Sequence, residues 1–500
     1  MSEYDESKQK IPLGEKFAFA SADAYGGGAM SYISVLYLFF LTNVIGLTPV
    51  FAGTVIMIAR MWNAIADPLM GTLSDNTRTK WGRRRPYIVL GGLLIIPSFA
   101  FLFAPIGHLD LQDGIKIPLI ILAALIYYTV STIFNLPYGS MSAEISTDFN
   151  ERNKVNSLRL LFSGAFGAVL QLIPMLVTDS FTDKDGKLLY TLKEQQNIIF
   201  TVSMIIAAFF FTVIMLSGII SKERVPIPEN KSEFSFKNFI KPFEVKSFRN
   251  LLLMYVFAFM CSDILMMLII YIVKYILDSG VDSLYMMIAL AGMAFVAFPI
   301  VYFNLKRTSK SFMFRIGIPL YIIGGVLLAT FPKGWDPYIA LIFAGLTGLG
   351  YAGPQLMPWL IFPDIVDLGE MKTGTRDTGM FSGMMTFTRK TTSALAVFLV
   401  GVVLQAFGWE KITEENPQPD QPDSVILAIR LVIIVTVCVF MIIAFIASYR
   451  LKISPEKTIR IRKYLELQRD GKLNELTQDE VKEFTVIGVE LIGEDFKVKL

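Results

Sequence analysis

Long apolar runs alternate with short polar connectors along most of this chain. A run of roughly 18 or more mostly apolar residues is long enough to cross a hydrocarbon layer of about 30 Å as an α-helix. About twelve runs meet that criterion, so the pattern predicts an all-α membrane protein with twelve transmembrane helices. The predicted spans are 17–45, 49–73, 86–106, 117–139, 156–178, 197–221, 249–277, 282–305, 311–332, 337–362, 378–407 and 424–449.

Two of these spans contain residues that disturb a regular helix. Span 1 carries Asp23 and the run Gly26-Gly27-Gly28, and span 4 is predicted to be broken at Asn135 and Pro137. Interruptions of this kind are tolerated where helices border a polar cavity. They therefore indicate a water-accessible path through the protein.

The distribution of basic residues predicts the orientation. About twenty Lys and Arg residues lie in connectors 2–3, 4–5, 6–7, 8–9 and 10–11, whereas about six lie in the opposite connectors. Because basic connectors stay on the cytoplasmic side, both termini are expected in the cytoplasm. The polar segment 1–16 does not resemble a cleavable signal, and a plasma (inner) membrane location is expected.

The connector between spans 6 and 7 is the longest cytoplasmic one and divides the spans six and six. A short motif recurs after the fourth span of each half, and two related halves are typical of secondary carriers. The predicted domains are a six-helix bundle at 1–221, a cytoplasmic middle loop at 222–248, a second six-helix bundle at 249–449 and a soluble cytoplasmic tail at 450–500. In the tail, Ser454-Pro455 is expected to start one helix, and Thr477 with Glu480 forms a capping box for another.

Composition narrows the function. The chain is 53% hydrophobic with a net charge of +3, so it lacks the basic field of a nucleic-acid-binding protein. Cys261 and Cys438 lie in apolar runs, and the single histidine, His108, lies in a connector. The sequence has no Walker-type phosphate loop, no His or Cys cluster for a catalytic metal, and no cofactor motif. A carrier driven by an ion gradient is the class that remains.

Five ionisable residues fall at membrane depth, namely Asp23, Arg60, Asp67, Asp263 and Lys390. Each such group costs about 2.5–3.5 kcal/mol on insertion scales and needs a physical reason. Buried ion pairs that fix helix packing, such as Arg60 with Asp67, are one reason. Because charges of both signs come from non-adjacent spans, a polar cavity explains the set better.

The span 2 region has a distinctive sequence. It reads Arg60-Met-Trp-Asn63-Ala-Ile-Ala-Asp67-Pro-Leu-Met-Gly71, followed by Asp75 and by Lys80-Trp-Gly-Arg83-Arg-Arg85-Pro-Tyr87. Together with Pro363-Asp364-Ile-Val-Asp367-Leu-Gly-Glu370, Thr373-Gly-Thr-Arg376 and Gly379, it resembles the glycoside–pentoside–hexuronide:cation symporters. These form the melibiose-permease branch of the major facilitator superfamily. The resemblance implies the major facilitator fold of two six-helix bundles and excludes an enzyme.

The resemblance also implies residue roles. Asp23 matches the sugar-binding carboxylate and Arg159 an arginine near the sugar. Asp67 matches a cation-site carboxylate, and Thr132 and Thr386 fall where hydroxyls lie near that cation. Lys390 matches the span 11 lysine. Three positions depart from the family pattern. Asn63 stands where many members have a second cation-site Asp. Asn135 stands where melibiose permease has a sugar-binding Asp, and Gly139 stands where it has a Trp.

These residue types suit a sugar and a cation. A carboxylate accepts two hydroxyl hydrogens through charge-assisted bonds, so Asp23 is expected to bind the sugar, with Tyr25, Asn135 and Arg159 supplying further contacts. Lys390 is expected to balance negative charge when the cation is absent, and Arg60 and Asp263 are assigned to the same charge balance. Asn63, Asp67, Thr132 and Thr386 form the predicted cation site. With one carboxylate there, H⁺ is slightly favoured, although the Asn63 amide oxygen leaves Na⁺ open.

Charges near the cytoplasmic ends of the spans suggest an inner gate of ion pairs. The predicted members are Asp75, Arg83, Glu144, Arg152, Asp364 and Arg376. A solvated positive rim accounts for Lys80, Arg84 and Arg85 but not for the acidic residues.

Three functions are therefore weighed. The first is cation-coupled symport of a glycoside, pentoside or hexuronide by a monomer in the lipid bilayer. The second is a cation-coupled lysophospholipid symporter of the same family, whose cavity would admit an acyl chain. The third is a signalling or scaffold protein on a vestigial carrier fold, which the retention of Asp23, Asp67 and Lys390 disfavours.

Overall fold

The computed structural model describes residues 10–106, 112–146, 148–183, 187–224, 240–278, 281–305 and 308–498. Within them, twelve helices are long and apolar enough to cross a membrane, which confirms the predicted all-α architecture. The spans, in order, are Leu13–Val44, Pro49–Asn76, Arg85–Leu102, Asp113–Glu144, Phe149–Asp179, Leu192–Ile220, Lys246–Ile276, Ser283–Asn304, Lys310–Ala329, Ile339–Thr373, Thr378–Ala406 and Asp423–Arg450. His108 and most of the predicted middle loop lie outside the described residues.

Among the residues described, three spans contain a five-residue π-helical segment. These segments are Phe40–Val44 in span 1, Ile272–Ile276 in span 7 and Thr436–Phe440 in span 12. Span 1 also begins with a separate helix, Leu13–Ser21, which Ala22 divides from the helix that Asp23 begins.

The predicted break in span 4 is wrong. The helix Asp113–Glu144 is continuous and contains Pro137. A proline removes one backbone hydrogen bond, and packing on either side holds the helix in place here. Tyr138 stacks on Phe134 with ring centroids 5.0 Å apart, and its hydroxyl donates to the Phe19 carbonyl at 2.8 Å.

Span 10 is longer than its apolar run. It was predicted to end at 362, yet the helix continues to Thr373. Helical spacing places Asp364, Asp367 and Glu370 near one another on this polar extension. Gly374 ends the helix with a φ of 83°, and its N–H donates to the Glu370 carbonyl at 2.7 Å.

The chain divides into two compact units. The first comprises Met1–Phe234 with Ala394–Val425, and the second comprises Ser235–Ser393 with Ile426–Leu500. The later part of span 11 therefore groups with the first unit, where Gly401 packs on the backbone of Pro49. The predicted domain limits themselves stay a prediction.

In the first unit, glycines bring span 1 close to span 5. A Cβ at Gly27 would lie 2.6 Å from Ser163 Oγ, and one at Gly28 would overlap the Leu170 side chain. Only a residue without a side chain permits this approach. It places Asp23 of span 1 beside Arg159 of span 5.

In the second unit, span 10 is packed in the same manner. A Cβ at Gly350 would lie 2.7 Å from Tyr321 Cα on span 9, and one at Gly348 would lie 3.2 Å from Leu290 Cα on span 8. Span 10 is thus held closely between spans 8 and 9.

Both predicted tail helices are confirmed. The first, Pro455–Arg469, begins at the cap Ser454, and the second, Gln478–Leu491, begins at a complete capping box of Thr477 and Glu480. The tail contacts the start of span 7, where the Lys246 N–H donates to the Ile492 carbonyl at 2.8 Å and Ser247 Oγ donates to the Leu491 carbonyl at 2.6 Å.

Candidate functional site

Asp23 and Arg159 form an ion pair inside the first unit. Arg159 Nε lies 3.1 Å from Asp23 Oδ2, and the two side chains are 16% and 12% exposed. Arg159 also donates to Tyr138 Oη at 3.2 Å and to Asn156 Oδ1 at 3.1 Å. The pair was predicted to lie together, and the close contact of spans 1 and 5 brings it about.

An aromatic ring accompanies this pair. The guanidinium carbon of Arg159 lies 4.6 Å from the ring centroid of Tyr138 and 5.7 Å from that of Phe19. Tyr25, predicted to contact the solute, is 1% exposed and packs edge-on against Phe134 and Phe210, and its role stays a prediction. Tyr138, which is equally buried, contacts Arg159 through both its ring and its hydroxyl.

Asn135 lies close to the same carboxylate. A Cβ at Gly26 would collide with Asp23 Oδ1 and would lie 3.9 Å from Asn135 Oδ1, so the missing side chain leaves room between the two. Asn135 Nδ2 donates to Ser131 Oγ at 3.0 Å. Carboxylate, amide and guanidinium groups thus lie close together. They can accept hydrogen bonds from a polyhydroxylated solute and donate hydrogen bonds to it.

Three residues of the predicted cation site meet in the first unit. Asn63 Nδ2 donates to Thr132 Oγ1 at 2.8 Å, and Thr132 Oγ1 donates to Asp67 Oδ1 at 3.1 Å. Asn63 and Asp67 are one helical turn apart on span 2, so both reach the hydroxyl from span 4. Thr132 is buried, and Asp67 is half-buried.

The other predicted members of these sites lie elsewhere. Thr386 is exposed on span 11 and belongs to the second unit, as does the half-buried Lys390. Arg60 is half-buried on span 2. Their assigned roles in cation binding and charge balance stay predictions.

The second unit contains an ion pair that the sequence reasoning missed. Asp263 Oδ1 lies 3.3 Å from an Nη of Arg389, and Asp263 Oδ2 accepts from Ser393 Oγ at 2.9 Å. Arg389 also lies over the ring of Phe259 at 4.5 Å. The charge of Arg389 within an apolar span is the sequence signal for this pair, whereas the family resemblance points to the adjacent Lys390.

The predicted gate residues Asp75, Arg83 and Glu144 belong to one ion-pair network within the first unit. Arg83 Nη2 pairs with Glu144 Oε1, while Arg84 pairs with Asp75 at 2.8 Å and with Glu144 at 2.7 Å. Arg84 is 5% exposed, so its assignment to a solvated rim is wrong. Burial opposes its charge, yet the hydrogen bonds and attraction of Glu144, with Asp75, raise the pKa of Arg84 above its usual range.

Two of the remaining gate residues, Asp364 and Arg376, also form ion pairs within the second unit. Lys310 Nζ lies 2.6 Å from Asp364 Oδ2, and Arg376 lies 2.9 Å from Asp367 and 3.1 Å from Glu370. Arg152 is on the first turns of span 5. The gating role of the six residues stays a prediction.

The family model described as MFS/sugar transport protein matches residues 18–455. An uncharacterized symporter of Synechocystis sp. is 26% identical, with 85% of this chain and 91% of that protein covered. A putative sulfoquinovose importer of Salmonella typhimurium is 26% identical, with 89% of this chain and 90% of that protein covered. The crystal structure of the nucleoside transporter NupG superposes with a TM-score of 0.56 at 14% identity, covering 88% of this chain and 99% of that one, which supports the same fold.

Proposed function

Because the chain belongs to the family of MFS/sugar transport proteins, in its melibiose-permease-like branch, we propose that it carries a glycoside, pentoside or hexuronide across the plasma membrane together with a proton. The coarser statement, a multi-pass, cation-coupled sugar transporter that is not an enzyme, already follows from the family. The proposal adds the solute class, the ion and the residues.

The Asp23–Arg159 pair carries the proposal. Placing an ion pair at membrane depth costs free energy, so its presence there points to a function. This pair also lies beside Tyr138 and Asn135, which supply further polar groups. Asp23 accepts sugar hydroxyls, Arg159 donates to sugar oxygens, and Asn135 can do both.

Asp67, Thr132 and Asn63 form the proposed ion site. Their side chains offer two carboxylate oxygens, one hydroxyl oxygen and one amide oxygen. These groups carry one negative charge, which is little for binding a metal cation, whereas a proton needs only the carboxylate. Protonation of Asp67 is therefore the proposed coupling event, and Thr132 holds that carboxylate in place.

Transport by alternating access follows as part of the proposal. The predicted gate residues at the cytoplasmic ends of the spans would control the opening of the inner mouth. Both termini would lie in the cytoplasm, and the monomer would be the working unit.

The experiment is uptake into proteoliposomes. Labelled methyl glucoside, methyl galactoside, methyl xyloside, methyl glucuronide and sulfoquinovose are offered under an imposed proton or sodium gradient. Concentrative uptake of at least one sugar, driven by the proton gradient and absent without a gradient, is expected. Uptake driven by sodium alone would overturn the proton assignment, and no uptake of any sugar would overturn the solute class.

A further inference from the structure

The second unit repeats the chemistry of the first. Asp23 and Arg159 come from spans 1 and 5, and Asp263 and Arg389 come from spans 7 and 11, which are the first and fifth spans of the second set of six. The guanidinium carbon lies over an aromatic ring in both units, 4.6 Å from Tyr138 in the first and 4.5 Å from Phe259 in the second.

Hydrogen-bonding capacity is left over in the second cluster. Arg389 Nε is buried and has no hydrogen-bond partner among the residues described. Asp263 uses one lone pair of Oδ1 for Arg389 and one of Oδ2 for Ser393, and each carboxylate oxygen has a second. The Asp263 and Arg389 side chains are each 23% exposed, so neither is sealed within the helix packing.

Further polar groups lie next to the pair. Gln355 Nε2 of span 10 donates to Ser262 Oγ at 2.6 Å, and Ser262 directly precedes Asp263 on span 7. The Tyr255 hydroxyl, two turns before Asp263, interacts with the Arg389 guanidinium. A purely structural ion pair would use such neighbours to complete its own hydrogen bonds, yet Arg389 Nε has none among the residues described.

We infer that Asp263, Arg389 and Ser393 form a second sugar-binding site, built in the second unit from the same Asp–Arg–aromatic arrangement. The inference rests on the proposed function, because the ligand that it assigns to this cluster is the class of sugar proposed for transport. Asp263 accepts a sugar hydroxyl hydrogen, and Arg389 donates to a hydroxyl or ring oxygen. Since the Asp263 charge cancels that of Arg389, this site takes the neutral, hydroxyl-bearing part of the solute rather than a carboxylate or sulfonate.

The first test compares Asp263→Asn and Ser393→Ala with the control Thr392→Val. The Thr392 hydroxyl donates to the backbone carbonyls of Thr388 and Arg389 on its own helix, so the control changes span 11 while keeping the Asp263, Arg389 and Ser393 side chains. Binding of the four methyl glycosides and of their monodeoxy forms is measured in detergent. Asp263→Asn should weaken binding of the preferred glycoside by at least about tenfold, and the control should not.

The deoxy sugars distinguish contact from indirect damage. If Asp263 binds a particular hydroxyl, wild type and Asp263→Asn should bind the analogue without that hydroxyl equally well. An equal loss across the parent sugar and every deoxy form would overturn the site.

A double variant separates a binding site from a structural ion pair. Asp263→Asn combined with Arg389→Gln leaves no unpaired charge, so thermal stability should recover relative to either single change. For a binding site, sugar binding stays lost in the stable double variant, whereas recovered binding would overturn the inference. If Asp23→Asn abolishes binding while Asp263→Asn does not, only the second site fails. If the wild type binds none of the sugars, the proposed function fails too.

Discussion

Arg469 of the first tail helix binds Glu370 at the end of span 10 through two hydrogen bonds. Its Nε donates to Oε1 at 2.6 Å and its Nη2 donates to Oε2 at 2.7 Å. The Glu370 side chain is 7% exposed, and Arg376 reaches the same carboxylate. The tail is therefore joined to the connection between spans 10 and 11.

Arg469→Gln should loosen the tail. The bond pair is bidentate, but the arginine is half-exposed, so its loss is expected to cost about 1 kcal/mol and to increase local opening roughly fivefold. Faster cleavage of the tail by chymotrypsin is the measurement. Arg460→Gln is the control, because Arg460 pairs within the tail with Glu483 at 3.1 Å. Equal acceleration in both variants would show that Arg469 does not anchor the tail.

Asp23→Asn should abolish sugar binding. Hydrogen bonds to a charged group contribute about 1.5–3 kcal/mol each, so losing two weakens binding by at least about 100-fold. Calorimetric titration with the preferred glycoside measures this. Glu151→Gln is a matched control, since it removes the 2.7 Å ion pair with Lys16 between the same two spans. Asp23 would be excluded from the site by binding that survives its replacement within about threefold.

Gly350→Ala should destabilise the second unit. The added Cβ would meet backbone atoms of span 9, which cannot rotate away, and overpacking of this kind costs about 1–3 kcal/mol. A lower melting temperature in detergent is expected. Gly292→Ala, on span 8, is the control, because its Cβ would enter open space. Similar melting temperatures for Gly350→Ala and wild type would contradict the close packing of spans 9 and 10.

Hydropathy located the spans because a membrane helix must be apolar for about 20 residues. It did not locate the end of span 10, where the helix continues as a polar extension until Gly374 stops it. Local capping signals did predict both tail helices, since a Thr–Glu capping box depends on residues three positions apart.

The residues of the candidate sites likewise fall into those that the sequence predicts and those that only the folded structure reveals. Asn63 and Asp67 were predictable because helical spacing places them on one face. The Arg389–Asp263 pair was not predictable, since the sequence alone does not say whether Arg389 or Lys390 faces Asp263. The burial of Arg84 likewise depends on Asp75 and Glu144, which lie on different spans and meet only in the folded chain.

Asn63→Asp should make sugar binding respond to sodium. Asn63 is one turn before Asp67, and both bind the Thr132 hydroxyl, so the new carboxylate would join the existing one. Two carboxylates supply the negative charge and oxygen ligands that a metal cation needs, whereas the wild type, with one, is expected to respond to pH. The measurement is glycoside affinity with and without sodium at fixed pH.

The matched control for this change is Asn197→Asp. It adds the same charge at an exposed position near the start of span 6, away from the Asn63 cluster. A sodium response in Asn63→Asp alone would support an ion site at Asp67. Sodium dependence already present in the wild type and unchanged in Asn63→Asp would instead make the Asn63 amide a sodium ligand and overturn the proton assignment. If neither protein responds to sodium or to pH, the coupling ion binds elsewhere, because a change of charge beside Asp67 would then leave coupling untouched.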